Sequence, residues 1–118
     1  MNGVVEAMGT TGALGTLMLG LFGLVAPRRA ARMVGLVPDG IRGISELRAT
    51  YGGLFAAMGL ACLLLQDPAA YGVAACAWLG AATARLVSLV VDRNASWLNV
   101  GGVALEALLG ALLWTGTW

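Results

Sequence analysis

Apolar residues fill four stretches of the chain, and each stretch has the length of a helix that crosses a lipid bilayer. The stretches cover roughly residues 4–26, 44–66, 68–91 and 97–117. A spanning helix needs about 20 mostly apolar residues. Because the connections are short, consecutive helices are expected to pack antiparallel. The pattern predicts an all-α fold: a polytopic integral membrane protein whose single domain, residues 1–118, is a four-transmembrane-helix antiparallel bundle.

Residues at the predicted helix ends support these boundaries. Pro27 closes the first stretch, because proline cannot continue a helix. Asp67 is a favourable N-cap for the third stretch, with Pro68 at the first helical position, and Ser96 is the corresponding cap of the fourth. The segment "PRRAARMVGL" after the first stretch fits either a basic loop or a short helix at the membrane interface.

The composition excludes several classes of function. Charged residues make up 11% of the chain, whereas a soluble domain has about 25%. All seven basic residues are arginine, the net charge is +1 and histidine is absent. The chain therefore lacks a basic face for nucleic acid and the commonest ligand of metal and haem sites, and we expect no nucleic-acid partner, no metal and no cofactor. For Cys62 and Cys76 we prefer free packing thiols, with a disulfide as the alternative.

The arginines also predict an orientation. The first connection holds Arg28, Arg29, Arg32 and Arg42, the third holds Arg93, and the second connection and both termini hold none. Arginine is enriched in cytoplasmic connections. We therefore expect the first and third connections inside, and both termini and the Asp67 turn outside. Aromatic residues mark the two interfaces in the same prediction: Trp97 the inner one, and Tyr71, Trp114 and Trp118 the outer one.

Small residues recur every four positions in each stretch, which allows helices to approach closely in lipid. The rows are Gly12, Thr16 and Gly20; Ala49, Gly53, Ala57 and Ala61; Gly72, Cys76, Gly80, Ala84 and Ser88; and Gly102, Glu106 and Gly110. Each row predicts a helix–helix contact, within one chain or with a second copy in a homo-oligomer.

Two charged residues lie deep in the apolar stretches. Arg85 lies roughly 9 Å and Glu106 roughly 13 Å from the predicted inner surface, at about 1.5 Å per residue. Because side chains lean toward the N-terminus of their helix, these two lean toward one depth from adjacent antiparallel helices. We predict an Arg85–Glu106 ion pair as the deepest polar contact of the bundle. Ser88 and Asn99 lie close enough in sequence to complete its hydrogen bonds.

Glu46 and Arg48 open the second stretch. Two positions apart, they cannot share a helix face: Glu46 faces with Thr50 and Gly53, and Arg48 with Tyr51 and Gly52. One interpretation adds Glu46, Arg48 and Tyr51 to a buried polar cluster with Arg85, Ser88, Asn99 and Glu106. The other treats Glu46 as a first-turn acid favoured by the helix dipole and Arg48 as an anchor that reaches the membrane surface.

Three strings, "ELRATYGG", "ARLVSLVVD" and "LEALLGALL", resemble the small bacterial proteins of the DoxX-like superfamily, many of which have no assigned function. The resemblance covers roughly residues 44–113. It implies a four-helix fold in the bacterial cytoplasmic (inner) membrane, but no catalytic residue, since related members have redox-complex or accessory roles without a shared mechanism. The positions that match its polar pattern are Glu46, Arg48, Tyr51, Arg85, Ser88, Asp92 and Glu106.

Three functions agree with this pattern. The preferred one is a structural, accessory or hydrophobic-ligand-binding bundle, whose partners are the bilayer, an apolar ligand or another membrane protein. The second is a lipid-phase enzyme in which Glu106 or Glu46 acts as acid or base on an isoprenoid, a sterol-like molecule or an epoxide. The third is a proton-coupled carrier working as a homodimer. The shape of the bundle around Glu106 discriminates between them. A closed, dry ion pair indicates a structural role, and a cavity of drug-like volume that opens sideways to lipid, with Glu106 on its wall, indicates the enzyme or the carrier.

Overall fold

The computed structural model describes residues 3–118 and confirms the all-helical fold, with four helices long and apolar enough to cross a membrane. Within these residues the chain forms α1 (Gly3–Val25), α2 (Pro27–Met33), α3 (Gly40–Leu47), a π-helical segment (Arg48–Leu54), α4 (Phe55–Leu65), α5 (Pro68–Val91), α6 (Trp97–Trp114) and a final 3₁₀ turn (Thr115–Thr117). The second span is continuous from Gly40 to Leu65, so it begins before the predicted residue 44.

The helix ends follow from local sequence. The carboxylate of Asp67 accepts a hydrogen bond from the amide of Ala69 at 2.7 Å, and the hydroxyl of Ser96 accepts one from the amide of Asn99 at 3.3 Å, so both predicted caps are confirmed. Pro27 ends α1 but also begins α2, because proline suits the first position of a helix. The basic segment is therefore a short helix rather than a loop.

The four spans form a ring in chain order. The second span packs along α1, α5 packs along α6, and α1 also contacts α6, while α4 meets α5 more lightly. Large apolar side chains cover the outside of this ring; Val25 and Val90, for example, are 82% and 79% exposed. Such an exterior suits lipid rather than water, because a soluble protein rarely shows large contiguous apolar surfaces.

Two of the four predicted rows of small residues lie at helix contacts. Gly12, Thr16 and Gly20 are buried along α1. Gly102 and Gly110 face α5, where an added Cβ would lie 2.9 Å from Nε of Arg85 and 2.7 Å from the Leu79 side chain, respectively. In these two helices the spacing of small residues therefore identified the packed face.

The other two rows are not packed faces within one chain. In the second span, Ala49 and Ala57 are exposed, and the close contacts with α1 come instead from Gly52, Ala56 and Gly59. In α5, the row containing Cys76, Gly80 and Ala84 is exposed, and the buried face combines two aromatic residues with three alanines: Tyr71, Ala74, Ala75, Trp78 and Ala82. Small residues are thus not confined to the packed faces here.

Two further predictions need correction, and one on the cysteines is confirmed. Tyr71 does not mark an interface, because it is buried against Gly116 and its hydroxyl accepts a hydrogen bond from Gln66 at 3.3 Å. Both cysteines are free thiols, as preferred, with Cys62 buried and Cys76 exposed. The most deeply buried polar contact is not the ion pair, because the indole of Trp78 donates to the hydroxyl of Thr16 at 2.9 Å, and Thr16 is 0% exposed.

Candidate functional site

Arg85 of α5 and Glu106 of α6 form the predicted ion pair. Nε of Arg85 donates to Oε1 of Glu106 at 2.5 Å, and the two side chains are 26% and 10% exposed. It is the only salt bridge found within residues 3–118. Because a charge placed in a low-dielectric interior is costly without a partner, each of these residues stabilises the burial of the other.

Asn99 joins the pair from the first turn of α6. Its side-chain oxygen accepts from a terminal nitrogen of Arg85 at 3.4 Å, and its amide group donates to the backbone oxygen of Asn94 at 2.8 Å. Asn99 therefore links the guanidinium to the turn that connects the two helices. Ser88 does not contribute as predicted, because its hydroxyl donates to Asp92 at 2.8 Å.

A cavity of about 260 Å³ adjoins this pair and opens to the outside of the bundle. Its inner wall holds buried residues such as Trp78 and Glu106, and exposed residues such as Met33, Trp97 and Leu105 surround its mouth. The lining consists of Leu19, Phe22, Ala30, Met33, Val34, Tyr51, Phe55, Trp78, Arg85, Trp97, Leu98, Gly101, Gly102, Leu105 and Glu106. Among the residues that the structure describes, Arg85 and Glu106 are its only charged groups, at the side of an otherwise apolar and aromatic chamber.

Three aromatic rings form one wall of the cavity. Phe55 contacts Tyr51 edge to face, with ring centroids 5.7 Å apart, and Trp78 in a tilted arrangement at 4.7 Å. The hydrogen bond to Thr16 fixes the indole of Trp78 in this wall. The wall therefore combines a planar apolar surface with the ion pair, since Arg85 lies two turns after Trp78 on α5.

Glu46 and Arg48 do not reach the ion pair, so the single seven-residue cluster is wrong. Arg48 is exposed and donates from a terminal nitrogen to the backbone oxygen of Leu24 at 2.5 Å. That oxygen is among the last carbonyls of α1, which have no amide partner within the helix. Arg48 therefore caps α1, and a cation also suits the negative end of the helix dipole.

Glu46 lines a different, more open cavity of about 280 Å³, together with Asp39, Thr50 and Tyr51. It shares a face with Thr50, as predicted, but not a packed seam, because both residues are exposed. The two carboxylates that the acid–base hypothesis offers as alternatives, Glu46 and Glu106, are therefore on separate cavities. Tyr51 is the one residue that lines both.

The boundary between the two cavities coincides with the π-helical segment, which covers most of the "ELRATYGG" string. Single π-helical turns within helices occur frequently at functional sites. An added Cβ at Gly23 would collide with the carbonyl group of Tyr51, so this backbone lies directly against α1. The adjacent Gly52 and Gly53 were the only sequence signal for the irregularity, and sequence analysis missed it. It also missed the cavity and the Trp78–Thr16 contact.

Fold and site together define a class: a multi-pass helical membrane bundle with a lined cavity beside an intramembrane ion pair. The chain belongs to the family described as a domain of unknown function (DUF4345), whose model matches residues 6–117. This match includes the first span, which the recognised strings did not cover. Comparison with curated proteins finds no match, and comparison with solved structures finds none either.

Proposed function

We propose that this protein binds an apolar molecule in the cavity beside Arg85 and Glu106. The observation that carries the proposal is the cavity itself, because a protein whose ion pair only oriented helices would have no need of a lined opening next to it. The volume of about 260 Å³ exceeds that of an engineered apolar cavity of about 150 Å³ that binds benzene. Apolar chambers with a few convergent polar groups are typical of ligand sites.

The mouth indicates where such a ligand enters. Met33, Leu98 and Leu105 are 63%, 51% and 45% exposed, on the same apolar exterior that contacts lipid. A ligand dissolved in the membrane can therefore reach the cavity from the side, between α2 and α6. We further propose, from the three recognised strings, that the family is related to the DoxX-like proteins and functions in a bacterial inner membrane.

A lipid-phase enzyme is the weaker alternative. Glu106 is the one carboxylate among the residues that line this cavity, and Arg85 holds it in an ion pair. Acid–base chemistry on an apolar substrate would thus rest on a single carboxylate, which is already paired. Ligand binding requires no acid or base in the cavity, and we therefore prefer it to catalysis.

Two glycine variants test the proposal. Gly101 lines the cavity, and a Cβ added there would meet nothing within 4 Å, so Gly101→Leu should extend its side chain into the opening. Gly80→Leu is the matched control, because Gly80 also has open space but lies outside the cavity.

The measurement is the rise in thermal unfolding temperature of the purified full chain in detergent on addition of octan-1-ol, since a ligand that binds the folded state stabilises it. We expect the wild type and Gly80→Leu to be stabilised equally and Gly101→Leu to lose most of the effect. Equal stabilisation of all three proteins would contradict binding in the cavity.

A further inference from the structure

If the cavity binds an apolar molecule, as proposed above, the polar groups in its wall define which head group that ligand can carry. Arg85 has five N–H donors, and hydrogen bonds to Glu106 and Asn99 use two of them. The second carboxylate oxygen of Glu106 accepts no hydrogen bond from any residue between 3 and 118. None of the unused polar atoms is buried without a partner, and Arg85 and Glu106 both line the cavity, so these atoms are available to a molecule bound there.

The wall offers both kinds of hydrogen-bonding group at one place. The guanidinium can donate to an oxygen of a ligand, and the carboxylate can accept from its hydroxyl. Tyr51 lines the same cavity and adds a hydroxyl that can do either. A hydroxyl group on the ligand, which donates and accepts, fits this combination, and a carbonyl oxygen fits the donors alone.

The net charge of the wall limits the head group further. The positive charge of Arg85 and the negative charge of Glu106 cancel, and no other charged side chain lines the cavity. An anionic head group would lie beside the Glu106 carboxylate, and a cationic one beside the Arg85 guanidinium. Either would add an unpaired charge to an apolar chamber, which is costly.

We infer that the ligand is an amphiphile with an uncharged oxygen head group, a hydroxyl or a carbonyl, placed at the Arg85–Glu106 pair with its apolar part against Tyr51, Phe55 and Trp78. This excludes free fatty acids and alkyl amines as preferred ligands. The ion pair thus acts as the element that selects for neutral molecules among those that the membrane holds.

Three probes with the same chain test this selection: octan-1-ol, octanoate and octylamine at pH 7. Each is added to the wild-type protein and to Gly101→Leu, and the difference in unfolding temperature between the two removes effects on the detergent micelle. We expect octan-1-ol to bind at least about tenfold tighter than either charged probe. A charged probe must either be neutralised at pH 7 before it binds or bring an unpaired charge into the cavity, and both cost free energy.

The charge variants predict a reversal of this preference. Glu106→Gln leaves Arg85 unpaired and should favour octanoate, whereas Arg85→Met leaves Glu106 unpaired and should favour octylamine. Stabilisation of the wild type by a charged probe at least as strong as that by octan-1-ol would overturn this inference and leave ligand binding intact. If none of the probes stabilises the wild type relative to Gly101→Leu, the proposed function fails as well. The comparison of the three probes on the wild type and Gly101→Leu tests the inference even if a charge variant does not fold.

Discussion

Gly102 leaves the space in which the guanidinium of Arg85 lies: a Cβ at residue 102 would come within 2.9 Å of Nε and 3.0 Å of Cζ. Gly102 precedes Glu106 by four residues, so both face α5 from adjacent turns of α6. The geometry of the ion pair therefore depends on a residue that carries no side chain.

Replacing Gly102 with alanine should displace the guanidinium and lengthen its bond to Glu106. We expect Gly102→Ala to be about 1 kcal/mol less stable than Gly101→Ala, because the flexible guanidinium can move aside and the main cost is the disturbed ion pair. Gly101→Ala is the control, because its added methyl group meets nothing within 4 Å. Unfolding in mixed detergent measures both, and equal stability of the two variants would show that the contact at residue 102 is unimportant.

The contact between α1 and the second span should tolerate no side chain at Gly59. A Cβ there would lie 2.5 Å from the amide nitrogen of Leu17 and 2.7 Å from the carbonyl oxygen of Ala13. Backbone atoms cannot rotate away, so the helices must separate, and Gly59→Ala should cost about 1–3 kcal/mol.

Gly80→Ala should stabilise the protein, in contrast to Gly59→Ala. It adds a methyl group in open space, and alanine is favoured over glycine within a helix by up to about 1 kcal/mol. Thermal unfolding of both variants tests the pair, and a destabilised Gly80→Ala would indicate that the exposed face of α5 packs against something else, such as a second copy.

The hydropathy pattern predicted the spans and their order because bilayer thickness fixes the length of each helix. It could not predict which face of each helix turns inward, since lipid and bundle interior are both apolar. In α5, Trp78 sets the inner face through Thr16, and the nearby Gly80 remains outside. No periodicity of apolar residues distinguishes these two positions.

The Arg85–Glu106 pair was predictable for a different reason: two opposite charges in apolar stretches must find each other or remain unpaired. Within residues 3–118, Arg48 has no such carboxylate partner, because a backbone carbonyl of α1 accepts its hydrogen bond instead. The cavity had no sequence signal, since an opening arises from how the side chains of several helices fail to meet.

The buried hydrogen bond between Thr16 and Trp78 should show energetic coupling in a double-mutant cycle of Thr16→Val and Trp78→Phe. The indole donates to the hydroxyl at 2.9 Å, and both residues are buried. Hydrogen bonds between transmembrane helices are coupled by about 0.6 kcal/mol on average, so we expect a value near this or higher. Additive single effects on unfolding free energy would indicate that packing alone holds Trp78 in the cavity wall.

Loss of the Arg48 cap should destabilise the protein modestly. Arg48→Met keeps the apolar part of the side chain but removes the hydrogen bond to the Leu24 carbonyl, and we expect a cost of about 1 kcal/mol because the group is exposed. Arg42→Met removes the same charge from another exposed position and serves as control. If both variants lose the same stability, the effect belongs to net charge and not to the cap.

The orientation predicted from the arginines can be tested with two matched substitutions, Ala69→Cys and Ala95→Cys, in a background in which Cys62 and Cys76 are alanine. Both alanines are exposed, at the connections on either side of α5. Because arginine is retained on the cytoplasmic side, residue 95, near Arg93, should lie inside and residue 69 outside. In intact bacterial cells, a membrane-impermeant maleimide should therefore label Ala69→Cys at once and Ala95→Cys only after the membrane is permeabilised. The reverse pattern would mean that the arginines of the first and third connections face outward, and labelling of both at once would mean that α5 does not cross the membrane.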